Sequence, residues 1–285
     1  MPDAPADATT WVRVSIHVDL ARDPAASEVA AGVLWGAGAA GVEEREGDDG
    51  VLLVGGFAEA GDAAAAVERA TELGFDASWA PIEDDGLDAW RAWAAPERAG
   101  RFWITPPWVD PPALAPGEQL LWIDPGPTFG SGSHPTTRLV LGLLQDLVGP
   151  ASTVLDVGCG SGVLAIGAAC CGASSVVATD IDPASPEITA ANAERNHVAH
   201  LVHPTTDPVD ALAARGEVFE VVCANLLAPV IAAVGRDLVA CTAPGGALVI
   251  SGLLADRWEA TLPAVAPLAV DRVVEDQGWV AVLLR

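Results

Sequence analysis

The 285 residues predict an α/β chain: a large, mostly parallel sheet preceded by a smaller α+β unit. Three observations carry that expectation. Residues 152–182, STVLDVGCGSGVLAIGAACCGASSVVATDID, read as strand, glycine turn, helix and strand, one βαβ unit of a parallel sheet. Residues 186–284 continue with alternating helix-length and strand-length apolar segments. Residues 11–82 read instead as β-α-β-β-α-β, the order of a ferredoxin-like unit. The length suits two domains, and 51% apolar residues supply a core for each.

In the first unit, residues 11–20 (WVRVSIHVDL) alternate as a half-buried strand does, and residues 24–37 carry Val29, Val33 and Leu34 on one helical face. Strands at 41–45 and 51–57 flank a GDDG turn, a helix follows at 63–73 and a strand at 75–82. No cluster of chemistry-bearing residues stands here, and His17 reads as a strand residue, so residues 1–83 are expected to recognise or dock rather than catalyse. Residues 84–100, DDGLDAWRAWAAPERAG, form an amphipathic linker helix with Trp90 and Trp93 on one side. The second domain is then 101–285.

That domain opens with a strand at 101–108 and an extended loop set by Pro106, Pro107, Pro111, Pro112 and Pro116. Trp103, Trp108 and Trp122 are expected to pack under this loop rather than line a channel. In DPGPTFGSGSHPTTRLVLGLLQDL, residues 124–147, a Gly/Ser loop enters a helix whose Leu139, Leu143, Leu144 and Leu147 face inward. Pro135 suits a first helical turn. Thr136 and Thr137 fall in that turn, where unpaired N–H groups and the helix dipole attract an anion. Ser133 or Thr136 as a simple helix cap is the alternative.

Gly158, Gly160 and Gly162 sit where the strand hands over to the next helix, and a side chain there would hold a ligand off the backbone. Asp180 ends the following strand on the same edge, placed to accept both hydroxyls of an adenosine ribose. The glycines are spaced G-x-G-x-G, whereas a dinucleotide fingerprint is G-x-G-x-x-G. A nucleoside-type cofactor follows, against the alternative of a turn that merely packs helix on sheet. Beyond a helix at 186–197, His197, His200 and His203 have HxxHxxH spacing, but a helix end running into a strand points three rings apart, so no metal is expected. Residues 219–226, FEVVCANL, form a buried strand with Asn225 at its C-terminal end, on the edge of Gly158 and Asp180. Its alternative role is to cap a helix at 229–240. A PGG turn, a strand at 247–251, a helix at 255–265 and a strand at 269–275 follow. A DQG turn then leads into an antiparallel last strand at 279–284.

Fourteen basic residues, all arginine, face 39 acidic ones, for a net charge of −25. That disfavours nucleic acid or an anionic membrane as a partner and favours a cationic substrate through steering. Charge for solvation alone remains the alternative. The five cysteines show no CxxC pair and lie mostly in apolar runs, reading as reduced thiols of a cytoplasmic protein. MPDAPADATT has no signal-peptide pattern. The uncharged run 157–179 is too rich in glycine for a membrane span and reads as buried βαβ.

DVGCGSG is similar to motif one of the S-adenosylmethionine-dependent methyltransferases. Taken with DPGPTFGSGSHPTT before it and DIDP and ANLLA after it, the chain resembles the ribosomal protein L-eleven methyltransferase family from about residue 11 onward, most densely over 124–182 and 221–252. The resemblance implies a Rossmann-like class I methyltransferase domain at 101–285, a linker helix at 84–100 and a ferredoxin-like substrate-recognition domain at 1–83. It implies S-adenosyl-L-methionine as cofactor, bound by Thr137, Gly158, Gly160, Asp180, Asn225 and Phe129. Asn225 orients the acceptor amine, His134 stands as proton acceptor or loop residue, and Trp279 meets the substrate's aliphatic arm. The sequence departs from the family at Pro127, where an aliphatic residue is expected, and in having no lysine or tyrosine. The implied reaction is N-methylation of lysine, and of an N-terminal amine, in a basic ribosomal protein, L-eleven, by a cytoplasmic monomer. Another protein or a small-molecule amine stays open as acceptor. From a different class, a nicotinamide-dependent oxidoreductase or a non-catalytic nucleotide sensor also stays open.

Overall fold

Every second residue of the first strand turns inward, and that alternation builds the first sheet. The computed structural model describes residues 12–18, 26–39, 41–47, 50–81, 94–126, 128 and 130–285. The chain divides into two units, Met1–Ala92 and Trp93–Arg285. In the first, β1 (Val12–Val18), β2 (Gly41–Gly47), β3 (Gly50–Phe57) and β4 (Asp76–Pro81) form an antiparallel sheet of order β2-β3-β1-β4. Val12, Val14, Ile16 and Val18 of β1 share one face with Val51, Leu53 and Phe57 of β3. Over that face lie Ala30 and Leu34 of α1 (Ala26–Gly36) and Ala63, Ala66 and Ala70 of α2 (Ala60–Glu72), at helical spacing. The β-α-β-β-α-β order is the expected ferredoxin-like one. His17 is exposed on β1.

Residues 82–93, which hold most of the expected linker helix with Trp90 and Trp93, lie outside the described residues. The end of that stretch is not helical: Glu97–Ala99 is a strand, β5, paired antiparallel with β6 (Phe102–Thr105). The proline-rich connection leads to β7 (Gln119–Trp122), a strand the sequence did not announce, which pairs parallel with β6. Trp103 donates through its indole N–H to Glu118 at 3.1 Å, anchoring the end of that connection.

The large sheet has the order β10-β9-β8-β11-β12-β14-β13. Its strands are β8 (Thr153–Val157), β9 (Ser175–Thr179), β10 (Val202–Thr205), β11 (Phe219–Asn225), β12 (Thr242–Leu254), β13 (Val270–Asp276) and β14 (Trp279–Leu284). The first five in spatial order are parallel, and β14 runs antiparallel to both neighbours, as the terminal hairpin requires. Alternation divides the side chains between two cores. Val154, Val221 and Val249 face α3 (Pro135–Leu147) and α4 (Val163–Cys171), while Leu155, Val222, Leu248 and Ile250 face α7 (Ala228–Ala240). Two further helices complete the layers, α5 (Ser185–Arg195) and the short α6 (Val209–Ala214). The uncharged run is the glycine turn, β9 and α4, whose residues 163–169 are all buried. Among the described residues no helix is long and apolar enough to cross a membrane.

Two expectations are corrected here. The PGG stretch is not a turn ahead of a short strand but lies inside β12, where the pairing with β11 shifts register between Phe219 and Val221. The helix expected at 255–265 is a 3-10 helix, Trp258–Val265, with Pro263 inside it. Proline lacks the N–H an α-helical turn needs there.

Candidate active site

Strand order reverses at β8: the chain leaves it to one side for β9 and returns on the other for β11. In an open α/β sheet, ligands settle outside the carboxyl ends of strands at such a switch point. A cavity of about 840 Å³ opens there. Its walls bring together Gly158 and Gly160 after β8, Asp180 after β9, Asn225 at the end of β11, His134 and Trp279. Six of the residues singled out in the sequence therefore meet around one space.

The turn after β8 is held by the end of β9. Gly158 N and Cys159 N donate to Thr179 O at 2.8 and 3.1 Å, and Gly160 N donates to Asp180 Oδ2 at 2.8 Å. Gly158 has φ +75°, and a Cβ on it would come 2.3 Å from Leu226 Cδ2. Glycine is required there by the neighbouring side chain and by the left-handed backbone, in addition to any ligand. Asp180 Oδ1 accepts from Asp182 N at 3.0 Å, so backbone N–H groups fix both carboxylate oxygens. A carboxylate offers about four lone-pair directions, which leaves acceptor capacity on each oxygen toward the cavity.

His134 is the N-cap of α3. Its Nδ1 accepts from Thr136 N at 3.4 Å and lies 2.7 Å from Thr136 Oγ1. A neutral ring that accepts at Nδ1 carries its proton on Nε2. Burial, and then the nearby Arg138 charge, hold its pKa below the usual histidine value. Its ring meets Trp279 edge-on, with centroids 4.8 Å apart. Thr136 is on the cavity wall, whereas Thr137 is fully buried, its Oγ1 without a hydrogen-bond partner. Phe129 and Pro127 lie outside the described residues. Asn225 is not a helix cap, since Leu227 occupies the N-cap of α7 without a side-chain bond.

The ionic character of the lining is one-sided. Asp180, Asp182, Asp210 and Asp237 contribute carboxylates, and among the described residues no arginine lines the cavity. Apolar surface is offered at the mouth by Ile181 and Leu227, 84% and 66% exposed. Ser185 lines the cavity with a buried Oγ that lacks a partner, as a hydroxyl awaiting a ligand does. The three histidines 197, 200 and 203 stand apart from this cavity; His197 has φ 60° beyond the end of α5, and His203 is in β10.

Sequence reasoning passed over Asp156. It is fully buried in β8, accepting from Ala165 N at 3.0 Å and from the Cys223 thiol at 3.6 Å. It caps α4, whose N-cap Gly162 has no side chain to do so. Burial outweighs these bonds and raises its pKa to about 7, with the charge of Asp180 adding to the rise. A carboxylate inside an otherwise apolar strand, directly ahead of a glycine turn, was the available signal. Asn192 and Asn196 were also missed, although asparagines four apart in and beside a helix are unfavourable unless their amides are used.

A family model described as ribosomal protein L11 methyltransferase (PrmA) matches residues 10–285. A ribosomal protein L11 methyltransferase from Pelotomaculum thermopropionicum is 42% identical over 207 residues, 71% of this chain and 66% of that protein. One of the same name from Dechloromonas aromatica is 44% identical over 183 residues, 63% of this chain and 58% of that protein. The chain thus spans less than two thirds of the length of these relatives. The crystal structure of ribosomal protein L11 methylase from Lactobacillus delbrueckii subsp. bulgaricus aligns with a TM-score of 0.59 at 28% identity, over 65% of this chain and 95% of that one.

Proposed function

The chain belongs to the ribosomal protein L11 methyltransferase (PrmA) family, and on that premise we propose that it transfers methyl groups from S-adenosylmethionine to amines of ribosomal protein L11. The acceptors are lysine side chains and an N-terminal α-amine. The observation that carries this reading is the cavity at the switch point, whose ionic lining is four aspartates with no arginine, beside Asn225 and Trp279.

That lining supports a cationic ligand over a dinucleotide. A pyrophosphate would meet four carboxylates, and the Gly158, Cys159 and Gly160 N–H groups are already taken by Thr179 O and the Asp180 carboxylate. When bound, S-adenosylmethionine supplies an activated methyl group on a positively charged sulfur. Asp180 holds the ribose hydroxyls, with its oxygens oriented by Gly160 and Asp182. Ile181 and Leu227 would cover the base, and Thr136, Thr137 and the first turn of α3 would hold the amino-acid end. Gly158 and Gly160 let the ligand approach the backbone.

The acceptor must arrive as a neutral amine. A lysine of pKa about 10.4 costs roughly 4–5 kcal/mol to deprotonate at neutral pH. Desolvation and the adjacent sulfonium charge lower that pKa and oppose the lining carboxylates, which favour the charged amine, and the proton leaves to solvent. Asn225 orients the amine through its side-chain or backbone carbonyl, and Trp279 packs on the aliphatic arm. His134, its Nδ1 engaged with Thr136, holds the Trp279 ring, a narrower role than the proton acceptor the sequence allowed. The acidic surface attracts the basic protein, and the ferredoxin-like unit presents it; the enzyme acts as a cytoplasmic monomer.

The test is transfer of radiolabelled methyl from S-adenosylmethionine into purified ribosomal proteins. A labelled L11 band is expected. Bound cofactor with no labelled L11 would remove the proposed acceptor while leaving the cofactor.

A further inference from the structure

On the reading of this cavity as a cofactor site, we propose that Asn192 is a positioning residue. Its one buried amide ties the glycine turn to the start of the loop at 124–134, and so holds two walls of the cavity together. The edge of β7 shows how. Gln119 N and Ile123 N donate toward β6, to Arg101 O and Thr105 O. Trp122 and Asp124 face the other way, where a wider sheet would have its next strand.

Helix α5 stands there instead. Asn196, its C-cap, accepts from Trp122 N at 2.9 Å and donates to Trp122 O at 2.8 Å. Asn192 does the same for Asp124, at 3.0 and 2.7 Å. Four helical residues rise about 6 Å and two strand residues about 6.6 Å, so two amides four apart match two peptides two apart. The helix thus serves as a strand edge made of side chains.

Asn192 does more than its neighbour. Its Nδ2 also donates to Ser161 O at 2.9 Å, inside the glycine turn. Ser161 Oγ in turn donates to Gly130 O at 2.7 Å, further along the loop. A Cβ on Gly130 would come 2.7 Å from that hydroxyl, so the approach depends on glycine. The turn and loop are therefore joined at Asp124 and at Gly130, and between these two points lies Thr128, which lines the cavity. Asn192 and Ser161 are both fully buried. Losing either should let the loop wall move away from the turn without touching the groups that contact the acceptor.

The experiment is calorimetric titration of the full chain with S-adenosylhomocysteine, alongside thermal melts without ligand and initial-rate kinetics. Asn192→Asp keeps the acceptor for Asp124 N and for Arg195 Nη1 but sets a carboxylate oxygen against two carbonyls. Its Kd is expected to rise about 30-fold, and that of Ser161→Ala about 5-fold, as loss of one or two buried hydrogen bonds implies. KM for S-adenosylmethionine should rise in step, with kcat at saturating cofactor within about twofold of wild type. Asn196→Ala loses the same kind of bonds to β7 but does not touch the turn, so it should lower the melting temperature and leave Kd within about twofold. If Asn192→Asp and Asn196→Ala lower the melting temperature alike and neither weakens binding, Asn192 is scaffold only and the proposal is overturned. Should Asn192→Asp fail to fold, Asn192→Ser, which removes the bond to Ser161 O, takes its place, and an unchanged Kd for it overturns the proposal. A wild-type chain that does not bind S-adenosylhomocysteine would refute the cofactor reading itself, a result distinct from either.

Discussion

Removing the Asp180 carboxylate should weaken binding of S-adenosylhomocysteine about 100-fold, from two ligand hydrogen bonds to a charged acceptor at about 1.5 kcal/mol each. The low end of the range applies because Asp180 is half-buried and solvent reaches it. The same carboxylate also accepts from Gly160 N at 2.8 Å and Asp182 N at 3.0 Å, so Asp180→Ala releases the turn as well as the ribose. Asp180→Asn separates the two effects. It keeps one acceptor oxygen but turns an amide N–H₂ toward one of the backbone donors, and should weaken binding about 10- to 30-fold. Calorimetric titration measures both, with far-UV circular dichroism to show that each variant is folded. A folded Asp180→Ala that binds within about threefold of wild type would refute the reasoning, because among the described residues no other carboxylate is held by both the glycine turn and the loop after β9.

Asp156 makes stability depend on pH. Its folded pKa, raised to about 7, lies above the unfolded value of 3.8, so the folded state holds the proton more tightly. Its contribution is complete below about pH 4 and is lost as pH rises through 7, for a total of order 2–4 kcal/mol. Urea midpoints at pH 4.5 and 7.5 should differ less in Asp156→Asn than in wild type, and equal differences would count against the shift. Gly158→Ala must displace Leu226 and adopt φ +75°, at a cost of about 1–3 kcal/mol read from thermal melts; Leu226→Ala in the same chain should recover part of it. Removing residues 1–83 should abolish L11 methylation and leave S-adenosylhomocysteine binding intact, since each unit has a hydrophobic core of its own. Loss of binding on that deletion would show that the second unit cannot stand alone.

What was legible in the sequence was whatever local chemistry dictates. The βαβ unit at 152–182 could be read because its strands and helix are buried on all sides and its turn needs glycine, and Asp180 and Asn225 because parallel strands end on one edge. Pairing partners far along the chain were not legible. β7 is four residues long and is defined by β6 on one side and two asparagine amides on the other. Nothing within QLLW announces either. Asp156 looked like part of the glycine motif because its role depends on burial and on Ala165 N, nine residues on. Which of the two threonines lines the cavity depends on helix phase, which is fixed only once His134 is placed as the cap.

The amide-lined edge of β7 has a consequence for how crowded copies of the chain behave. An open strand edge is a template on which a foreign strand can grow. Here two peptides of β7 are already satisfied by Asn192 and Asn196, and β10 at one border of the large sheet carries Pro204, which has no N–H to offer. The opposite border, β13, carries Asp271, Arg272, Glu275 and Asp276 along its seven residues. Recruitment of a neighbour in register would bring like charges face to face or leave donors without acceptors, so these borders discourage fibrous association even at high concentration.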